Sequence, residues 1–131
     1  IEIAPEFGAR KCVKLSVSAP FHSPLMKPAE KTMRQALQKT VTSEAKIPLV
    51  ANVLAEKITS PAQITDSLIA QITGMVRWRE TMQYFEAQGI TDLVEIGAGK
   101  VLTGLAKRDL KNINSFSVNS VAEIENLVNN L

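Results

Sequence analysis

The sequence has 131 residues, 45% of them hydrophobic and 21% charged, with 15 lysines and arginines against 13 aspartates and glutamates and a formal net charge of +2. That is the length of one domain and the balance of an ordinary soluble globular chain, long enough to bury roughly two-thirds of its unfolded surface. The charge is too even for a nucleic-acid binder and no basic stripe is interleaved with aromatics; no apolar run approaches the ~18 residues of a membrane span; and a single cysteine, Cys12, excludes a disulfide framework and fits a reducing cytoplasm. The N-terminus lacks the charged-then-apolar pattern of a signal peptide. It begins at Ile1 without a methionine and reads as a cut piece or a processed product.

Residues 1–7 read as the end of a helix that stops at Gly8. Val13, Leu15 and Val17 alternate with Lys14, Ser16 and Ser18, the period of a half-buried strand, and Pro20 ends it because proline cannot donate to a ladder. Cys12 lies in that pattern and reads as a small core residue rather than a nucleophile. Phe21-His22-Ser23-Pro24 is a loop. Ser23 before Pro24 is an N-cap with proline at the first helical position, and Met26, Ala29, Met33 and Leu37 follow at helical spacing. Pro28 predicts a kink or a delayed start. Residues 47–52 form a second strand and 56–58 a brief third.

Ser60-Pro61 starts another helix, with Gln63 placed for a capping box and Ile64, Leu68 and Ile72 on its inner face; Gly74 breaks it. Trp78, Met82 and Phe85 mark a further helix closed by Gly89. A strand over 92–96, a tight turn at Gly97-Ala98-Gly99 and a helical face of Val101, Leu102, Leu105 and Ala106 come next. The last strand covers 113–118. Ser120 and Glu123 form a capping box for a final helix whose face is Val121, Ile124, Leu127, Val128 and Leu131. Strands alternating with helices, without repeats or long linkers, predict an α/β fold with some parallel pairing.

His22 is the only histidine. It follows a predicted strand in a loop, where α/β folds place groups that face ligands, and an imidazole suits general-base work. A histidine with no task, on the surface or in the core, is the competing reading. Glu30 is near in sequence, but no paired carboxylate stands at an obvious distance. Gly97-Ala98-Gly99-Lys100 fails as a phosphate loop: Val94 stands where Walker A needs glycine and Val101 where it needs serine or threonine, and Leu102 replaces the third glycine of the dinucleotide fingerprint. A tight strand-to-helix turn is the better reading. None of the nine serines sits in a G-x-S-x-G elbow, and no cluster has metal-ligand spacing. Arg77 and Arg79 flank Trp78; an anion or aromatic contact is one reading, and a solvated helix start beside a buried indole is the better one. Lys100, Lys107, Arg108 and Lys111 gather on or after one helix; such a cluster is a solvated face or a surface that steers an acidic partner.

Three stretches in register carry a family resemblance: Ser16 through Met26, with Pro20-Phe21-His22-Ser23-Pro24-Leu25-Met26; Gln71 through Trp78 leading into Tyr84-Phe85-Glu86-Ala87-Gln88-Gly89; and Val94-Glu95-Ile96-Gly97-Ala98-Gly99-Lys100-Val101-Leu102-Thr103-Gly104-Leu105. Together they resemble the C-terminal portion of malonyl-CoA:acyl carrier protein transacylases along nearly the whole chain. The resemblance implies the C-terminal part of an α/β-hydrolase-like core, with residues 1–21 ending a small ferredoxin-like subdomain and 22–131 belonging to the large acyltransferase core.

It also implies a mechanism. A serine on a nucleophile elbow attacks the malonyl thioester of CoA, a histidine takes its proton, and the pantetheine thiol of acyl carrier protein collects the malonyl group. His22 matches the base and Gln71 the position whose backbone carbonyl orients the imidazole, a dyad with a carbonyl in place of the third carboxylate. Phe21 matches the malonyl-selective form of the motif. Lys100, Lys107 and Arg108 are the candidate carrier contacts.

The Gly-Gln-Gly loop, the elbow serine and the arginine that pairs with the malonyl carboxylate belong to earlier sequence. Ala98 stands for a usual proline and Gly74-Met75 for a usual Asn-Pro. The expectation is therefore a malonyltransferase of fatty acid biosynthesis in the cytoplasm, with no cofactor or metal, no nucleic acid and no membrane. Its partners are malonyl-CoA, acyl carrier protein and the missing N-terminal portion. The chain alone is expected to be inactive and to expose apolar surface. A non-catalytic carrier-binding module is the alternative. An acyltransferase domain of a polyketide-type synthase is a third reading, which the clean ending at Leu131 disfavours.

Overall fold

A computed structural model describes residues 1–14 and 16–130. Leu15 of the first alternating run and Leu131 of the last helical face lie outside the described residues.

The first 26 residues hold two short 3-10 turns. Ala4–Phe7 ends at Gly8, where the predicted helix end lies. Pro24–Met26 follows the His22 loop, and Ser23 Oγ accepts the backbone N–H of Leu25 at 3.3 Å to cap it. Among the described residues no strand is found around Val13 and Val17, whose side chains are both exposed. An alternating run becomes a strand only where another strand takes its hydrogen bonds and a core takes one face. Cys12 is half-buried rather than core.

Helix α1 (Lys27–Leu37) starts after that 3-10 turn, with Pro28 in its first turn. The delayed start costs nothing there, because the first N–H groups of a helix have no intrahelical partner. Strands β1 (Leu49–Val50) and β2 (Lys57–Ile58) pair antiparallel, Leu49 opposite Ile58. Helix α2 (Pro61–Ala70) begins at Ser60, but no side chain caps it, so the Gln63 capping box is absent. Its buried residues are Ser67 and Ile69. Leu68, expected on the inner face, is exposed, while Ile64 and Ile72 are half-buried. The helix therefore turns a different stripe inward than its apolar spacing predicts.

Helix α3 (Trp78–Ala87), strand β3 (Asp92–Ile96), helix α4 (Val101–Asp109) and strand β4 (Asn114–Val118) follow in order. β3 and β4 pair in parallel over five residues, from Asp92 opposite Asn114 to Ile96 opposite Val118, with α4 as the crossover. The fold is α/β, as the alternation predicts. Met82, Ala106 and Leu110 form the core, with Trp78, Phe85, Leu93 and Ile113 packed around them. Met82 is only 1% exposed, and burying a side chain of that size contributes about 1.5–3 kcal/mol.

Helix α5 (Val121–Val128) has the Ser120 cap, whose Oγ accepts the N–H of Glu123 at 3.3 Å. The Glu123 carboxylate reaches back to the N–H of Asn119 at 2.7 Å, one residue before the partner a capping box prescribes. Its apolar face is largely uncovered, with Val121 and Val128 exposed. The same holds elsewhere: Phe7 is 84% exposed, Val41 94% and Ile96 74%. So much exposed apolar surface is the mark of an interaction face. No helix among the described residues is long and apolar enough to cross a membrane.

Candidate active site

His22 sits in a loop held at both ends. Ser23 Oγ donates to the carbonyl of Pro20 at 2.8 Å and caps the turn that leads into α1. Between these ties His22 adopts φ 57°, the left-handed region. For a residue with a side chain that costs roughly 1–3 kcal/mol and persists only where the surroundings fix it.

The ring is fixed from the other side of the cleft. Nδ1 lies 2.8 Å from the carbonyl oxygen of Gln71 and 3.1 Å from that of Gly74, both in the turn after α2. Carbonyl oxygens only accept, so Nδ1 carries the hydrogen. In the neutral ring Nε2 is then the nitrogen that bears the lone pair, the tautomer a general base requires. A backbone carbonyl here occupies the place beside Nδ1 that a carboxylate takes in other histidine-based sites. Glu30, the nearby carboxylate in sequence, is engaged elsewhere: it accepts from Thr73 Oγ1 at 3.3 Å and from Arg34 at 3.4 Å.

Beside the ring runs an open groove of about 710 Å³, walled by Phe21, Met26, Ala29 and Met33 on the α1 side and by Gln71 and Ile72 on the α2 side. The face predicted for α1 from Met26, Ala29 and Met33 thus lines this groove. Phe21 is 55% exposed and stands at the same wall as His22. The structure therefore brings together three sequence-predicted site residues, Phe21, His22 and Gln71, from two distant stretches of chain.

The basic residues are elsewhere. Lys100 precedes α4, Lys107 and Arg108 occupy its last turn, and Lys111 lies beyond it; all four are exposed. Lys100 and Lys107 are about 10 Å apart along the helix axis, so these charges form an edge rather than a pocket. Arg108 makes a loose contact with Asp109 at 3.8 Å. Arg77 has a structural task, donating to the carbonyl of Leu54 at 3.1 Å and pairing with Glu80 at 3.3 Å. The Trp78 indole beside it is half-buried, and its Nε1 is enclosed without a partner among the described residues.

The glycine-rich turn at 97–100 is closed to anions by the chain itself. Gly97 and Gly99 take φ 137° and 97°, which lets β3 turn sharply into α4. The α4 N-terminus is then filled by the Glu95 carboxylate, which accepts the N–H groups of Leu102 at 3.1 Å and Thr103 at 2.8 Å and the Thr103 hydroxyl at 2.8 Å. The Thr103 backbone bond, reinforced by its hydroxyl, holds Glu95 below the ordinary carboxylate range. A helix N-terminus favours an anion, and here that anion is internal. Spacing rejects a phosphate loop; the structure supplies the physical reason. Sequence reading missed Glu95 as a cap and Gly74 as a second carbonyl. Glu95 reaches its helix from a strand, outside any local capping pattern, and Gly74 reads only as a helix breaker.

Among the described residues no group of histidine, cysteine or acidic side chains could hold a metal ion.

No family model matches the chain. It is 39% identical over 124 residues to the malonyl CoA-acyl carrier protein transacylase of Bacillus subtilis, covering 95% of this chain and 39% of that protein. A solved acyl-carrier-protein-S-malonyltransferase from Bartonella henselae superposes with a TM-score of 0.90 at 45% identity, over 98% of this chain and 41% of that one. A malonyl-transacylase solved in complex with a type II PKS acyl-carrier protein superposes with a TM-score of 0.91 at 34% identity, over 99% of this chain and 42% of that one. The chain spans about two fifths of the length of the curated relatives it matches.

Proposed function

We propose, for a chain that matches the malonyl-CoA:acyl carrier protein transacylases in sequence and fold over about two fifths of their length, that it is the base-bearing C-terminal portion of an acyltransferase moving a malonyl group from malonyl-CoA to acyl carrier protein in fatty acid biosynthesis. The observation that carries this reading is the His22 ring, bonded at Nδ1 to the Gln71 carbonyl beside an open groove. In the proposed reaction Nε2 takes the proton of a serine hydroxyl as that oxygen attacks the thioester carbon. The thiolate of CoA leaves, and a malonyl-serine ester remains. His22 then serves the attack of the carrier thiol on that ester in the second half-reaction. The chemistry runs on side chains, with the CoA thioester as substrate and no cofactor.

The serine is supplied from outside the 131 residues, because none of the nine serines here sits in an elbow motif. In this reading residues 1–21 close a ferredoxin-like subdomain, 22–131 belong to a hydrolase-like core, and the exposed apolar residues meet the serine-bearing portion. Phe21, at the groove wall, limits the acyl group to the small unbranched malonyl unit. A cytoplasmic setting fits the single, unpaired Cys12.

The test is intact mass spectrometry after exposure to malonyl-CoA. The chain alone gains no malonyl group; joined to the serine-bearing portion of a similar transacylase, the assembly gains one. Labelling of the chain alone, or none in the joined protein, contradicts the reading.

A second reading has its own support. Lys100, Lys107 and Arg108 are exposed along α4, and one of the similar structures is a complex with an acyl-carrier protein. These residues form the docking edge for an acidic carrier, whether or not the chain takes part in catalysis.

A further inference from the structure

Two backbone carbonyls, rather than one, face the His22 ring: Gln71 at 2.8 Å and Gly74 at 3.1 Å. A single N–H shared between two acceptors resists rotation of the ring in either direction, because turning toward one lengthens the bond to the other. The second acceptor depends on unusually close packing. A Cβ on Gly74 would meet Val53 Cγ2 at 2.7 Å and the Ala70 carbonyl oxygen at 2.8 Å. Both are nearer than side-chain carbons approach, so in this chain any other residue would force Val53 or the Ala70 carbonyl to shift. The Gly74 N–H bonds the same Ala70 carbonyl at 2.9 Å, which continues α2 into the turn. Thr73 donates to Glu30 of α1 at 3.3 Å and so ties the turn to the helix that follows the His22 loop. At its far end the turn is pinned by the Arg77 N–H on the Asn52 carbonyl at 2.9 Å.

We propose that Gly74 is a positioning residue for His22: its missing side chain lets the turn close on Val53 and Ala70, which brings a second carbonyl to Nδ1, and the Thr73–Glu30 bond keeps that turn against α1. The role deepens the reading of His22 as base, since it fixes which ring nitrogen is free. The state of the ring is observable without malonyl transfer, so a failure of the positioning role is distinguishable from a failure of the transferase reading.

His22 is the only histidine in the sequence, so long-range proton–nitrogen correlation spectra of the 131-residue chain report one imidazole. The wild type shows neutral His22 protonated at Nδ1. In Gly74→Ala the share protonated at Nδ1 falls roughly two-fold or more, because the hydrogen bond on one nitrogen sets the tautomer. Thr73→Val shifts it in the same direction by less, and Thr73→Ser, which keeps the hydroxyl, matches the wild type. A folded Gly74→Ala with an unchanged spectrum overturns the proposal, as does a wild type without the Nδ1 preference. If Gly74→Ala does not fold, the threonine pair decides. A shift in Thr73→Val that Thr73→Ser restores supports the proposal; no shift, or the same shift in both, overturns it.

Discussion

Two turns that follow regular elements, 71–77 after α2 and 97–100 after β3, are built from similar material and end differently. Each contains glycine at the point of tightest packing or sharpest bend, and each presents a row of backbone polar groups. At 97–100 the exposed groups are N–H donors of α4, and a side chain of the same chain, Glu95, takes them. At 71–77 the exposed groups are carbonyls, and they take one hydrogen of His22. The first arrangement closes on itself, the α4 N-terminus being taken by the chain's own carboxylate. The second engages one nitrogen of the ring, and in the proposed reaction the other takes the proton. Glycine-rich turns are not functional by composition; what matters is whether the group they satisfy retains chemistry afterwards.

The largest expected effect empties the core on α3, which lies between the two turns in the chain. Met82 is the most deeply buried of the core residues, on the helix between them. Met82→Ala is expected to cost about 2–5 kcal/mol, the range for emptying such a site, read by urea unfolding. Loss of both the His22 tautomer and the cooperative transition together would show that one core supports the two turns.

Next is Glu95, which separates them. Its folded pKa is below the ordinary glutamate value of 4.5, so its contribution is present above the unfolded pKa and is lost as pH falls through the lower folded value. Glu95→Gln keeps one acceptor and removes the charge. The variant is expected to unfold at lower temperature at neutral pH and to lose less stability than wild type on acidification below about pH 4.5. The His22 tautomer stays unchanged, because this turn does not touch it. Parallel acid-side slopes in the two proteins would contradict the assignment.

The smallest effect belongs to the basic edge. Lys107→Ala with Arg108→Ala is expected to weaken acyl carrier protein binding several-fold at low ionic strength and hardly at all at high salt, since exposed charges are screened. Titration at two salt concentrations checks this. An equal loss at both would point to packing rather than charge. Either way the His22 loop is untouched, which keeps the proposed docking edge and the proposed base separable.

Much of the helical framework was legible locally. Trp78, Met82 and Phe85 at helical spacing gave α3, Ser120 with Glu123 gave the start of α5, and Ser23-Pro24 gave the turn into α1. What failed depended on distant partners. Val13 and Val17 alternate as a strand does, yet no segment among the described residues supplies the ladder. Leu68 fits the helical stripe of α2, yet Ser67 and Ile69 are the residues turned inward, because the surface α2 packs against is set by α1, a separate stretch of chain. For the site, His22 stood out as the only histidine, in a loop after a predicted strand, whereas Gln71 and Phe21 came from a resemblance; the 49 residues between His22 and Gln71 are a separation that no local pattern encodes. Gly74 and Glu95 escaped notice because their roles exist only once the chain has closed on itself.

The central claim is that His22, oriented by the Gln71 carbonyl, is the base that activates a serine for malonyl transfer. The most direct measurement is the rate of malonyl labelling, followed by intact mass, in the chain joined to a serine-bearing transacylase portion, with and without His22→Ala. Losing a general base should slow labelling on the order of 10²–10⁴-fold while the protein stays folded. Equal rates in the two proteins would remove His22 from the mechanism and contradict the account.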